Sequence, residues 1–338
     1  MAVDEQILSS KYEVESILLQ QEKSKLIYLF NCLKLFWKIV SSSQAKIVAI
    51  WFADYHAAIA VFAAIIRGKE SLIFIGGYDA VKYPMLQMGV HSKRLRGAFS
   101  AFALRHCNLV IANHQALIDS NNLYYNPCGH PEGVMRLVPR LHTTCVVIPN
   151  AFKLRYLPKL NLPRESQIVT VANTPRLRDF YNKGLDLLAE VARKNPGWKF
   201  IFIGIREQFL PELNKKHLLH QISNLQIIPW LQQEDLFKLL ERTKVYAQPS
   251  ISEGMPNALM EAMLCGCTPV GSDVAGIPLL MKDWGFVVKQ RKVETLMEAI
   301  KLALACECRA NEIAASIRER FSYENREIKL LSEIEKII

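Results

Sequence analysis

A chain of 338 residues is too long for one small core and about right for two domains. Half of it is apolar, so a sizeable core is available, yet no run reaches the ~20 unbroken apolar residues needed to cross a bilayer. The formal charge of +10 is spread evenly, 15 basic against 10 acidic residues in 1–150 and 27 against 22 in 151–338. No basic nucleic-acid-binding tail stands out, and no nucleic-acid partner is expected.

In chain order, Leu26–Val40 (LIYLFNCLKLFWKIV) is apolar but broken by Asn31, Lys34 and Lys38. It reads as a buried amphipathic helix, with a membrane-surface helix as the second reading. Strand-like apolar runs follow at Lys46–Trp51, Ser71–Ile75, Asn108–Ala112 and Thr144–Ile148. After a proline-rich connection from Pro149 to Pro163 come Ile168–Ala172, Lys199–Gly204 and Leu225–Ile228, then Val245–Ala247 and Cys267–Gly271. The runs are apolar throughout rather than alternating, as parallel strands covered on both faces require. Helical periodicity lies between them, as with Leu185, Leu188, Ala189 and Ala192. Two parallel α/β domains follow, residues 1–155 and 156–321. The tail 322–338 reads as an amphipathic helix with Ile328, Leu331, Ile334 and Ile338 on one side. The eight cysteines include two C-x-C pairs with no zinc-finger spacing, and the start does not read as a secretory signal peptide, so reduced thiols and a cytoplasmic setting are expected.

Several words fall at the carboxyl ends of strands, where open α/β sheets bind ligands. In the first domain these are WFADYHAAIA, with Asp54 and His56, and IGGYDA, with Asp79 behind two glycines; these three are the acid/base candidates. His114 is a weaker one. His91, Lys93, Arg94 and Arg96 form a basic cluster suited to anionic headgroups or a pyrophosphate-bearing acceptor, and equally to a solvated helix entry. In the second domain Lys183–Gly184 open a helix, where a lysine can meet a diphosphate. The densest stretch is Val245–Pro278, VYAQPSISEGMPNALMEAMLCGCTPVGSDVAGIP. It reads as strand, small-residue loop, helix, strand and loop, with Pro256 in the first helical turn and Gly266 as the stop. Glu253 precedes the helix and Glu261 lies in its second turn, so the two can address different parts of one elongated ligand such as a sugar nucleotide.

Glu253 and Glu261 stand as E-x7-E inside SEGMPNALMEAMLCGCTPVGSDVAGIP, which resembles the donor-site signature of the family-4 retaining glycosyltransferases. The resemblance implies a GT-B fold, two Rossmann-like domains facing a cleft with the C-terminal helix crossing back to the first. It implies sugar transfer with retention from a UDP- or GDP-linked donor to a glycan or lipid-linked acceptor, in surface polysaccharide assembly at the inner face of a membrane. No cofactor beyond the donor is implied. No D-x-D occurs, so no metal is expected. By the same resemblance Glu261 takes the ribose diol and Glu253 the sugar hydroxyls. The amides of Gly254, Met255, Pro256 and Asn257 face the sugar or diphosphate, Lys183 holds the diphosphate, and Trp230 stands near the base. The family's GR word before its KG word is missing here, since the strand ends Val171-Ala172-Asn173; Arg178, with Arg176 beside it, is the replacement. Family members usually open with a strand and a glycine loop. Here Met1 runs into VDEQILSSKYEVESI, which matches the helix and second strand of that pattern, so the first strand and glycine loop are expected to be absent. Two other readings keep the fold: a sugar-nucleotide epimerase using Asp54, His56 or Asp79, and a partner subunit that binds sugar nucleotide without turnover.

Overall fold

The computed structural model describes residues 2–19, 24–152 and 156–338. The chain divides into two units: Met1–Ser120 with Pro131–Lys153 and Tyr323–Ile338, and Asn121–His130 with Leu154–Ser322. The junction expected at 155 touches residues outside the described set.

The first unit is built on a four-stranded parallel sheet in the order β1-β2-β3-β6, formed by β1 (Ile47–Trp51), β2 (Glu70–Ile75), β3 (Leu109–Ala112) and β6 (Thr144–Val147). Successive side chains of a strand point to opposite faces. Ile73, Ile75, Val110 and Ala112 therefore enter one core with Ala57, Val61 and Leu104, whereas Leu72, Phe74, Leu109 and Ile111 enter the other. On the first face lie α2 (Lys25–Ser41), α3 (Tyr55–Ile66) and α4 (Arg94–His106). On the second lie α1 (Ala2–Lys11) and the last helix, α14 (Tyr323–Glu335), joined through Ile7, Leu8, Leu330 and Ile334. Buried Arg326 anchors α14: its Nε donates to Asp4 Oδ1 at 2.6 Å and its Nη1 to the carbonyls of Ile148 and Pro149. The buried side of α14 is thus Arg326, Leu330 and Ile334; of the four apolar residues expected there, Ile334 is buried and Leu331 packs partly against the core, whereas Ile328 and Ile338 face outward. Residues 13–19, expected to include a strand, carry no regular structure.

The second unit holds a six-stranded sheet in the order β12-β11-β10-β7-β8-β9. Its strands are β7 (Glu165–Thr174), β8 (Lys199–Ile205), β9 (Leu225–Ile228), β10 (Thr243–Gln248), β11 (Thr268–Ser272) and β12 (Phe286–Val288), all parallel. The connecting helices are α6 (Leu177–Asn182), α7 (Leu185–Lys194), α8 (Leu210–His217), α9 (Gln233–Glu241), α10 (Asn257–Leu264), α11 (Gly276–Met281), α12 (Val293–Ala305) and α13 (Ala310–Arg320). Short pieces complete the chain: α5 (Val134–Leu137), and β4 (Ser120–Asn121) with β5 (Pro131–Glu132). Asn121–His130 falls inside the stretch expected to be first domain but belongs to the second unit, because Asn122 Nδ2 donates to the Ile251 carbonyl at 2.8 Å and Tyr124 Oη to that of Pro249 at 3.3 Å. All eight cysteines are free, and no helix among the described residues is long and apolar enough to cross a membrane.

Candidate functional site

The strongest cluster forms at the carboxyl end of β10, where Gln248 leads into the loop 249–256 before α10. Pro256 caps α10, and the helix brings the positive end of its dipole to this loop. The loop is held from several sides. Ile251 N–H donates to the Asn182 carbonyl at 2.7 Å, Ser272 Oγ to the Ser250 carbonyl at 2.7 Å, and Gly276 N–H to the Gly254 carbonyl at 2.8 Å. Gly184, at φ +69°, lets the start of α7 press against the loop: a Cβ there would stand 2.1 Å from the Pro249 oxygen. That contact fixes its neighbour Lys183, the last cap residue of α6.

Lys183 Nζ donates to Glu253 Oε1 at 2.6 Å, and the same oxygen accepts from Gln248 Nε2 at 3.0 Å and Ser250 Oγ at 2.8 Å. Tyr246 Oη in turn donates to Gln248 Oε1 at 3.0 Å, fixing which end of the amide faces Glu253. One carboxylate oxygen is thereby locked by three donors, and the carboxylate keeps a partly exposed edge. Glu261 lies on the side of α10 toward α9, with Gln233 Nε2 donating to its Oε1 at 3.4 Å. Burial pushes the Glu261 carboxyl above the ordinary glutamate range, and the Gln233 amide pulls it partly back. Gly254, Met255 and Pro256 are buried and Asn257 is exposed at the helix start. Arg178 is largely buried, with Nε 4.0 Å from Asp179, whose own carboxyl burial pushes up. Trp230 stands exposed after β9. The structure therefore brings Lys183 and Glu253 together directly, and adds Gln248, Ser250 and Tyr246, which a lone polar residue after a strand did not announce.

In the first unit the expected acid/base residues have other work. Asp79 is 1% exposed, and its carboxylate accepts from the amides of Ala53, Gly76 and Gly77 at 3.0–3.1 Å. Both oxygens are committed to backbone, so Asp79 ties the ends of β1 and β2 together and does not present a carboxyl to substrate. Asp54 caps α3 and pairs with Arg96, whose Nε lies 2.8 Å from Oδ1 and whose guanidinium lies over the Tyr78 ring. His56 Nε2 lies 3.0 Å from the Trp51 carbonyl, His114 Nδ1 accepts from Ala116 N–H, and His91 Nε2 bonds the Asp79 carbonyl. Of the basic cluster 91–96, only Lys93 and Arg94 are exposed as charges; His91 and Arg96 turn inward. Among the described residues no three His, Cys, Asp or Glu side chains stand where they could hold a metal ion.

Paired units of parallel sheet and helix define the GT-B class, and solved structures agree. Sucrose-phosphate synthase from Thermosynechococcus elongatus is similar with a TM-score of 0.70 at 16% identity, over 95% of this chain and 81% of its own. Anabaena Alr3699/HepE in complex with UDP and glucose gives 0.67 at 15%, over 98% and 89%. At such identities the likeness is one of fold. Residues 161–327, just under half of the chain, match the model of the Glycosyl transferases group 1, so this stretch is similar to that family. Curated relatives include a phosphatidylinositol N-acetylglucosaminyltransferase subunit of Homo sapiens, 26% identical over 147 residues (42% of this chain, 30% of the relative), and its namesake in Arabidopsis thaliana, 26% over 166 residues (47% and 36%). This chain spans about a third of the length of those relatives.

Proposed function

We propose that this protein moves a sugar from a nucleotide-diphosphate donor to a hydroxyl of a glycan or lipid-linked acceptor, with retention at the anomeric carbon. The observation that carries this reading is the locked Glu253 beside Lys183 at the start of α10, inside the group 1 domain. Glu253 offers its partly exposed edge to donor-sugar hydroxyls, and Glu261 accepts from the ribose diol as a charge-assisted contact. Lys183, released from Glu253 as the donor enters, neutralises the diphosphate with the α10 dipole. Charge developing on the leaving group is stabilised where it forms. Arg178 and Trp230 stand as secondary candidates for diphosphate and base. A front-face attack assisted by the leaving phosphate needs no protein nucleophile. The UDP in the Anabaena neighbour favours a uridine donor, and the phosphatidylinositol in the relatives' name favours a lipid-borne acceptor. With such an acceptor the reaction belongs at a membrane surface, and the cytoplasmic face is part of the proposal.

The epimerase reading loses support, because Asp54 and Asp79 are engaged in the fold. Binding without turnover remains the second reading, since the curated relatives are named as subunits. Incubation with UDP-, GDP- and ADP-sugars, with and without membrane extract, separates them. Nucleotide release that needs the extract supports transfer. Binding without release assigns the partner role, and no binding to any nucleotide overturns the proposal.

A further inference from the structure

The helix α2 is apolar on two opposite sides. Cys32, Leu35 and Ile39 are buried toward α3, whereas Leu26, Phe30, Leu33 and Trp37 form a second stripe that faces out, with Leu26 78% and Trp37 65% exposed. Their spacing of four, three and four residues puts them in one line along the helix. The stripe continues onto α3: the Trp37 ring meets Phe36 at 5.7 Å, Phe36 stacks on Phe62 at 6.2 Å, and Phe62, Ile65 and Ile66 are each about half exposed. A soluble surface rarely keeps a contiguous apolar patch of this kind uncovered.

The charge around it is one-sided. The helices α2, α3 and α4 contain no aspartate or glutamate. Lys34 lies over the Phe30 ring at the edge of the stripe, and Lys38 beside it pairs with Glu15. Just past the C-terminal ends of α2 and α3 lies a cavity of about 320 Å³ whose lining includes Ser42, Ser43, Lys46, Arg67 and Lys69, three cations against Glu70, with Ile338 also on its wall. Trp37 on α2 and Ile66 on α3 precede that cavity by a few residues. An apolar stripe with aromatic rings and a basic, hydroxyl-bearing hollow at its end match acyl chains and a phosphate headgroup.

We propose that this face of the first unit docks on an anionic phospholipid surface, with the α2–α3 stripe in the acyl boundary and the basic hollow on a headgroup phosphate. The binding is independent of the donor site. The test is flotation of the full chain with vesicles of phosphatidylcholine alone and with about a third phosphatidylglycerol. Binding should require the anionic lipid, and brominated acyl chains should quench a fluorescence component that Trp37→Phe removes. Exposed side chains can be replaced without loss of fold, which circular dichroism checks. The combined Leu26→Ser, Phe30→Ser and Trp37→Ser variant should bind roughly a hundredfold more weakly. Lys34→Gln and Arg67→Gln should each cost about fivefold on the anionic vesicles. Three results would overturn the proposal: no binding to either vesicle, equal binding to both, or a self-associated chain that the triple serine variant turns into monomer.

Discussion

Glu253 Oε1 gathers three donors, one of them the cation expected to meet a diphosphate, so the free site holds its positive charge in reserve. Lys183→Ala should weaken binding of a nucleotide diphosphate by roughly ten- to a hundredfold, the worth of one charge-assisted contact, and leave the bare nucleoside unaffected; titration calorimetry distinguishes the two ligands. Glu261 makes a pH prediction. Its carboxyl is held above the ordinary glutamate value of 4.5 by burial, so on acidification it takes a proton while an ordinary glutamate is still ionised. Affinity for a nucleotide sugar should therefore begin to fall at a pH above 4.5, and Glu261→Gln should flatten the profile. For stability the sign is opposite: this group's contribution is full below its unfolded pKa and is lost as pH rises through the higher folded value. Asp79 shows what residue type cannot tell. IGGYDA reads as a ligand loop, yet the carboxylate turns back onto three amides. Asp79→Ala leaves those N–H groups buried and unpaired and should cost about 2–4 kcal/mol in urea unfolding. The placement of Glu253 before α10 and Glu261 on it was legible because their spacing is set by one loop and one helix. Gln248 and Ser250 were not, because a polar residue after a strand has no distinctive spacing.

At the scale of elements, the parallel strands were readable because burial on both faces leaves runs with no polar interruption. The strand β12 escaped, since three residues of FVV carry no period. The face of α14 was read in part: Ile334 is buried and Leu331 half-buried against the core, but the buried stripe begins at Arg326, which apolar patterning passes over. The join between α6 and α7 was read as a helix start with a lysine, but its real constraint is the contact of Gly184 with the Pro249 carbonyl. Gly184→Ala meets a positive φ and a backbone oxygen together, and should destabilise the second unit by about 2–4 kcal/mol and shift Lys183 away from Glu253. Gly197→Ala is the control, because nothing lies within 4 Å of a Cβ there and its φ is ordinary; it should leave the denaturation midpoint close to the parent's.

On the scale of the whole molecule, the chain lends Asn121–His130 to the second unit, later builds the rest of that unit, and returns at Tyr323 to finish the first. The return is made specific by one ion pair. Arg326 and Asp4 are each more than nine-tenths buried, the arginine also holds the Ile148 and Pro149 carbonyls, and Asp4 accepts from Trp51 Nε1 at 3.2 Å. Hydrophobic contact of Leu330 and Ile334 with Ile7 and Leu8 would hold α14 against α1, but it would tolerate a helix slid or turned by one residue. The guanidinium allows one register, because only there do a carboxylate and two carbonyls face its fork. Removing one partner of a buried pair leaves the other charged and desolvated, so Arg326→Ala should cost about 3–5 kcal/mol. The double change Asp4→Asn with Arg326→Leu removes both charges and should recover much of that loss. Trp51, stacked on Phe74 with ring centroids 4.8 Å apart, provides the optical probe. Its emission should report an earlier urea midpoint for the first unit in Arg326→Ala, while amide exchange in β7–β11 keeps the parent's protection. An equal loss of protection in both units would show that the returning helix stabilises the whole chain as one cooperative body.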